Sequence, residues 1–241
     1  MPKFFLDSAP GETALLDGED GRHIARSLRM RPGEALTLCD CRGTDYDGVI
    51  DAIDGESVTV RILGSRPCAA EPSLSAVLYQ CLPKLDKFDL VVQKSVELGV
   101  SRIVPVLSRR CVSRPDEKSL AKKLERWNKI AAEAAKQSGR GILPPVSPAL
   151  PFEQAVREAE SAGGVNLLFY EGGGVPIRER IGEATRTASL FVGPEGGFDK
   201  SEVELAAAHG ITPATLGPRI LRTETAPLAA LAAMMTVSGN M

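Results

Sequence analysis

The sequence lacks the marks by which several large protein classes are recognised. No apolar run is long enough to span a bilayer. The N-terminus, MPKFFLDSAPGE, has no long apolar segment of the kind a secretory signal needs. Both absences point to a cytoplasmic protein. Histidine is scarce: His23 and His209 lie far apart, which gives little support to a histidine-based metal site. The cysteines, Cys39, Cys41, Cys68, Cys81 and Cys111, are odd in number. Their spacing fits neither paired CxxC knuckles nor a dense disulfide framework, so reduced, structural thiols are expected. There is no GxxxxGK[ST] and no well-placed GxGxxG, which disfavours NTPase and nicotinamide chemistry. A global excess of positive charge is also missing, since the net charge is −2. No internal repeat or low-complexity tract is visible.

What remains is ordinary globular composition, 43% apolar and 25% charged over 241 residues, enough for one or two domains with a real core. The charge is uneven. GRHIARSLRMR carries Arg22, His23, Arg26, Arg29 and Arg31 with almost no acid among them. Such a face reads either as a solvated helix surface or as a local phosphate-binding patch, and RNA is the favoured partner.

The first seventy residues read as mostly β. EALTLCD, DYDGVIDAI and ESVTVRIL are short strands separated by CRGT and DG turns, preceded by one short helix ending at Arg31-Pro32-Gly33. That pattern suggests a compact barrel. SRPCAAEPS, residues 65–73, marks the boundary, giving domains 1–70 and 71–241. Beyond it strands and helices alternate, which predicts an α/β domain with a mainly parallel sheet. LSAVLYQ is a buried strand. LDKFDLVVQKSVELGV is a helix with Phe88, Val91, Val92, Ser95 and Val96 on one side. RIVPVL is a strand whose proline suggests an edge or bulge. Residues 119–137 form the clearest helix, with Trp127 as a packing anchor. Helices near FEQAVREAESA and KSEVELAAAH, strands VNLLFY, SLFVG and ATL, and a final helix from Ala226 complete the chain. His209, before Gly210, suits a helix end.

Three strand ends carry the chemical interest. LLFY runs into EGGG, LFVG into PEGG, and ATLG into PRILRTET. In open α/β sheets ligands bind beyond the carboxyl ends of strands, and glycine lets the backbone approach them closely. In GPEGGFDKSE, Asp199 and Glu202 form a capping-box pattern that leaves Glu195 unexplained. In LGPRILRTETAPLAALAA, Thr225 is a plausible N-cap and Pro227 fits a first helical turn. The polar loop before it reads equally as solvated charge or as an anion-favouring helix entrance.

GPEGGF, LGPRILRTETAPLAAL, KFDLVVQKSVELGVSRIVPVLSRRCV and KLERWNKIAAEAAKQSGR together resemble the RsmE family of 16S rRNA uridine-N3 methyltransferases, across essentially the whole chain. The first helix also resembles that family's HxxRxLR pattern at His23, Arg26 and Arg29, with Ser27 in place of a branched apolar residue. The resemblance implies a PUA-like N-terminal β-barrel and a SPOUT-type domain with a deep trefoil knot, which topology rules alone would disfavour. It implies a homodimer, without membrane or metal, that moves a methyl group from S-adenosylmethionine to N3 of a uridine in the decoding region of the small ribosomal subunit. On this sequence it implies a cofactor pocket of Phe169, Tyr170, Glu171 and Gly172, of Gly193, Pro194, Glu195, Gly196 and Gly197, and of Leu216, Gly217, Ile220, Leu221, Arg222, Thr225 and Ala226. The amides of Leu216, Ile220 and Leu221 would read the adenine.

N3 of uracil carries a proton between two carbonyls, so its methylation calls for a proton acceptor and for donors near both oxygens. RTET offers Arg222 as the donor and Glu224 as a candidate base, unless Glu224 pairs with Arg222 or Arg219. The target base must be unpaired before reaction. The arginines of the first helix could hold rRNA phosphates, with Lys84, Lys87, Arg109, Arg110 and Arg140 extending the track. A non-catalytic ribosome-assembly factor, or a relative acting on another RNA position, is the alternative.

Overall fold

The computed structural model describes all residues, Met1–Met241. The chain divides into two compact units, Met1–Glu71 with Ala135–Leu143, and Pro72–Ala134 with Pro144–Met241. No helix is long and apolar enough to cross a membrane.

The first unit is a five-stranded sheet: β1 (Lys3–Phe5), β2 (Thr13–Leu16), β3 (Ala35–Cys39), β4 (Thr44–Asp54) and β5 (Ser57–Pro67) in the order β1-β3-β4-β5-β2. β3, β4 and β5 form an antiparallel meander, β2 adds antiparallel to β5, and β1 runs parallel to β3. Its core is Phe4, Leu16, Ile24, Leu36, Leu38, Ile50, Val58 and Val60. The three-residue β1 and four-residue β2 escaped the sequence reading, because two or three side chains cannot establish an alternation. The predicted single helix is α1 (Gly18–Arg22) followed by a π-helical turn, His23–Leu28, closed by Arg29 at φ 53°. Gly21 is required inside it: a Cβ there would sit 1.9 Å from the Glu56 carbonyl oxygen.

Residues 135–143 return to this unit. The Gly43 amide donates to the Gly141 carbonyl at 3.0 Å. Arg140, buried at 3% exposure, is gripped by the Glu71 carboxylate at 2.8 and 3.0 Å. Glu71 also accepts the amides of Gly141 and Ile142. Burial alone would raise the Glu71 carboxyl, but Arg140 and these amides outweigh it and hold it below the ordinary range. Arg140 is therefore a structural cation. Its assignment to an RNA-binding track is corrected, because a guanidinium so enclosed has no face left for a phosphate.

The second unit is a seven-stranded, wholly parallel sheet. Its elements are β6 (Ser75–Cys81), α2 (Lys87–Glu97), β7 (Arg102–Leu107), α3 (Glu117–Gln137), whose last turn joins the first unit, β8 (Leu150–Pro151), α4 (Phe152–Ala162), β9 (Val165–Phe169), β10 (Val175–Pro176), β11 (Thr187–Val192), α5 (Lys200–Ala208), β12 (Thr212–Thr215) and α6 (Ala226–Val237). The order is β10-β12-β9-β11-β6-β7-β8. The central strands are covered on both faces, which explains their near-continuous apolar runs. Tyr79 and Phe191 stack at 4.5 Å within this core.

α2 buries the five residues its periodicity selected, Phe88, Val91, Val92, Ser95 and Val96. Trp127 of α3 packs on Phe88 at 4.3 Å and donates its indole N–H to Asp89 at 3.1 Å, so it is a packing anchor. β7 is second from the edge, which corrects the expectation raised by its proline. Only the two-residue β8 and the single bridge Ile103–Val146 cover its outer side, so few ladder bonds are asked of this strand there.

Candidate active site

β12, β9 and β11 are consecutive neighbours and parallel, so their C-terminal ends open on the same edge of the sheet. The three glycine-bearing turns that the sequence singled out meet there and enclose one cleft of about 740 Å³. Of the expected cofactor residues, Phe169, Tyr170, Glu171, Gly172, Gly193, Pro194, Glu195, Gly197, Leu216, Gly217, Ile220, Leu221, Arg222 and Ala226 line it. Gly196 and Thr225 do not.

The turns are shaped by close backbone approach. A Cβ at Gly193 would press on the Gly197 Cα and the Phe198 ring, both at 3.3 Å. Gly197 has φ 65°, and its amide closes a turn onto the Pro194 carbonyl at 2.9 Å. A Cβ at Gly197 would lie 2.9 Å from the Glu171 carboxylate, so the first turn rests against the second. Gly196 instead faces Arg110, whose side chain would meet its Cβ at 3.4 Å. Its expected place in the pocket wall is corrected on that ground. After the second turn Asp199 and Glu202 complete the capping box of α5, with side-chain contacts of 3.1 and 2.9 Å, which fixes where the turn ends.

The third turn is held from inside. The Thr223 hydroxyl donates to the Gly193 carbonyl at 2.7 Å and accepts from the Gln80 side-chain amide at 3.1 Å. Gln80 is wholly buried in β6, one residue before its end and opposite Val192. Sequence reasoning missed Gln80 and gave Thr223 no role beyond its place in the 216–226 loop. The only signal was a polar residue at the end of an otherwise apolar strand. The amides of Thr225 and Ala226 both donate to the Arg222 carbonyl, so α6 is entered through a tight turn. Thr225 makes no side-chain cap, contrary to expectation, because its backbone is already in the helical region at φ −91°, ψ −38°. Pro227 sits in the first turn as expected. Ile220 and Leu221 line the cleft, and their amides have no protein acceptor.

The charged groups differ from the sequence expectation. Lys87, placed there on an RNA track, lines the cleft and contacts Glu224 at 3.1 Å and Glu195 at 3.6 Å. Glu195, unexplained by its own loop, accepts the Lys84 amide at 3.0 Å. Glu224 pairs with Lys87 and not with Arg222 or Arg219. Burial pushes its carboxyl up, but its own backbone amide and Lys87 outweigh that and lower it. It is therefore a weak proton acceptor. Arg222 is exposed, and its side chain has no hydrogen-bonded or ion-paired partner.

The remaining cations are divided. In the first unit Arg22 and Arg26 share Glu56, at 3.3 and 2.8 Å. That acid arrives from the β4–β5 turn and was invisible in the local sequence. His23 stands edge-on to Phe4 at 6.2 Å. Arg29 and Arg31 are exposed and their side chains are unpaired. In the second unit Arg109 and Arg110 bind the α5 entrance, through Ser201 at 2.7 Å and the Gly196 carbonyl at 3.0 Å. The Lys84 side chain is exposed.

A parallel sheet whose three adjoining C-terminal turns enclose one cleft, in a chain that also carries a small β unit, defines an α/β protein with its ligand site at the carboxyl ends of its strands. An RNA methyltransferase domain matches residues 70–235, and an RNA methyltransferase PUA domain matches residues 16–63. The chain is 33% identical to the ribosomal RNA small subunit methyltransferase E of Bacillus subtilis, over 97% of its length and 93% of that protein. The Neisseria gonorrhoeae ribosomal RNA small subunit methyltransferase E, solved bound to S-adenosyl methionine, is 36% identical with a TM-score of 0.83, covering 98% of this chain and 97% of that one. A Legionella pneumophila protein solved with the bound cofactor SAM is 33% identical, with a TM-score of 0.79 over 97% of this chain and 96% of that one. The chain belongs to the ribosomal RNA small subunit methyltransferase E family, RsmE.

Proposed function

We propose that this protein methylates N3 of a uridine in the decoding region of 16S rRNA, using S-adenosylmethionine, as a cytoplasmic homodimer whose α/β domain carries a trefoil knot. The observation that carries the reading is the meeting of the three turns in one cleft, in a chain of this family. The residues fit the cofactor. The walls are largely backbone and glycine, Gly193 and Gly197 leave no room for side chains, and the free amides of Ile220 and Leu221 suit a nucleobase edge. In this reading the Leu216 amide joins them at the adenine. The bound cofactor supplies a methyl group made electrophilic by its sulfonium.

The protein then has three tasks: to place the base, to stabilise its anion and to hold the RNA. Arg222, the unpaired guanidinium of the cleft, stabilises charge on a uracil oxygen. The paired Glu224 is poorly suited to take the N3 proton. Arg29 and Arg31 supply the free phosphate contacts of the first unit, and Lys84 does so in the second.

Incubation with labelled cofactor and small subunits lacking the modification should place label on one uridine at N3. Cofactor binding without transfer would identify an assembly factor. Label at another nucleotide would identify a relative with a different target.

A further inference from the structure

We infer that Lys87 is a catalytic residue of the acceptor pocket: its ammonium donates to a carbonyl oxygen of the target uracil and, with Arg222, stabilises the N3 anion, so that the N3 proton leaves to solvent and Glu224 serves to position Lys87. The inference rests on the uridine-N3 reading above.

Lys87 does not belong to the three turns. It opens α2, after the loop that follows β6, yet its ammonium reaches into their cleft. Its side chain is 29% exposed, open enough to meet a ligand. The charged groups that contact it are Glu195 from the second turn and Glu224 from the third, and Arg222 of the third turn lines the same cleft. On its own helix Asp89 is taken by Trp127 and Arg126 of α3, and Asp86 lies 3.8 Å from Arg126.

An ammonium has three donors. Glu224 at 3.1 Å takes one. Glu195, already held by the Lys84 amide, takes at most a looser second at 3.6 Å. The third is left for a substrate. Ionised uracil spreads its charge onto two carbonyl oxygens flanking N3, so two separate donors match it better than one. Arg222 lines the same cleft as Lys87 and Glu224, so both cations border one pocket. The two cations and two carboxylates balance. Lys87 and Arg222 therefore act on the uracil anion as hydrogen-bond donors to its two oxygens.

In the step itself the N3–H bond gives its proton to water. The electron pair left on N3 forms the N–CH₃ bond, and the methyl–sulfur bond breaks with its pair remaining on sulfur. Glu224 accepts nothing in this sequence.

The test compares wild type, Lys87→Met, Lys87→Arg and Glu224→Gln in single-turnover methylation. The substrates are small subunits carrying uracil or 5-fluorouracil at the target, from neutral to alkaline pH. Calorimetry with S-adenosylmethionine runs in parallel. Lys87→Met should lose about 10²-fold at neutral pH, the scale for one anion-stabilising donor. Its rate should rise at higher pH than that of wild type, and 5-fluorouracil, whose N3 is more acidic, should restore it selectively. Lys87→Arg should keep most of the rate, Glu224→Gln should leave the pH profile in place, and cofactor affinity in Lys87→Met should stay within about threefold. An unmoved pH profile in Lys87→Met, or a loss that neither alkali nor 5-fluorouracil recovers while Lys87→Arg fails equally, overturns the inference alone. A wild-type protein that leaves N3 unmethylated overturns the function proposed above and this inference with it.

Discussion

The Thr223 hydroxyl binds the Gly193 carbonyl across 30 residues of chain, at 2.7 Å, and so ties the second cofactor turn to the third. Behind it stands the buried Gln80 amide. Thr223→Val keeps the shape but removes one of the two acceptors of the buried Gln80 amide and the hydroxyl donor to the Gly193 carbonyl. The variant should lose about 1–3 kcal/mol in denaturant unfolding, the cost of buried polar groups left unpaired. Cofactor affinity by calorimetry should fall with it, while Thr223→Ser should retain both.

Gly193 and Gly196, both in the GPEGG turn, should behave differently. Gly193→Ala drives a methyl group against the Gly197 Cα and the Phe198 ring and should weaken cofactor binding about tenfold or more. Gly196→Ala meets only the side of Arg110 and should leave affinity within about threefold. Equal losses in the two titrations would contradict this account of the turn.

Glu71 and Arg140 predict an acid limb of stability. The Glu71 carboxyl lies below its ordinary value of 4.5 in the folded protein, so the unfolded chain binds the proton more readily. Its contribution is therefore complete above about pH 4.5 and lost as pH falls through the lower folded value. Glu71→Gln should cost about 3 kcal/mol at neutral pH, since it leaves Arg140 buried without its counter-charge. Its loss of stability with acid should be shallower than that of wild type.

Glu56 is expected to restrain RNA binding, because it neutralises Arg22 and Arg26. Glu56→Gln should tighten binding to small-subunit rRNA about two- to fivefold, the scale of a surface charge pair. Arg29→Ala and Arg31→Ala should each weaken it and reduce the salt slope by about 1, in filter binding across a salt series.

Much of this protein was legible before any coordinates. The apolar stripe of α2, the capping box of α5 and the three glycine turns are local patterns, set by residues a few positions apart. Local periodicity and turn chemistry read such patterns directly. Sequence also selected Arg222 and most of the pocket wall. It did not foresee Lys87 in the cleft, and it misplaced Arg140 and Gly196, for one shared reason. A side chain's partner is decided by whichever distant segment arrives beside it, and neither Glu224, Glu71 nor Arg110 is a sequence neighbour of the residue it meets.

The sequence by itself determined the α/β alternation, the buried faces and the family. Tertiary structure alone decided which charges are free. Coulombic and hydrogen-bond energies depend on separations of a few ångströms that chain order does not encode. The same cation is thus a strut at Arg140, a shared partner at Arg22, and an open donor at Arg222.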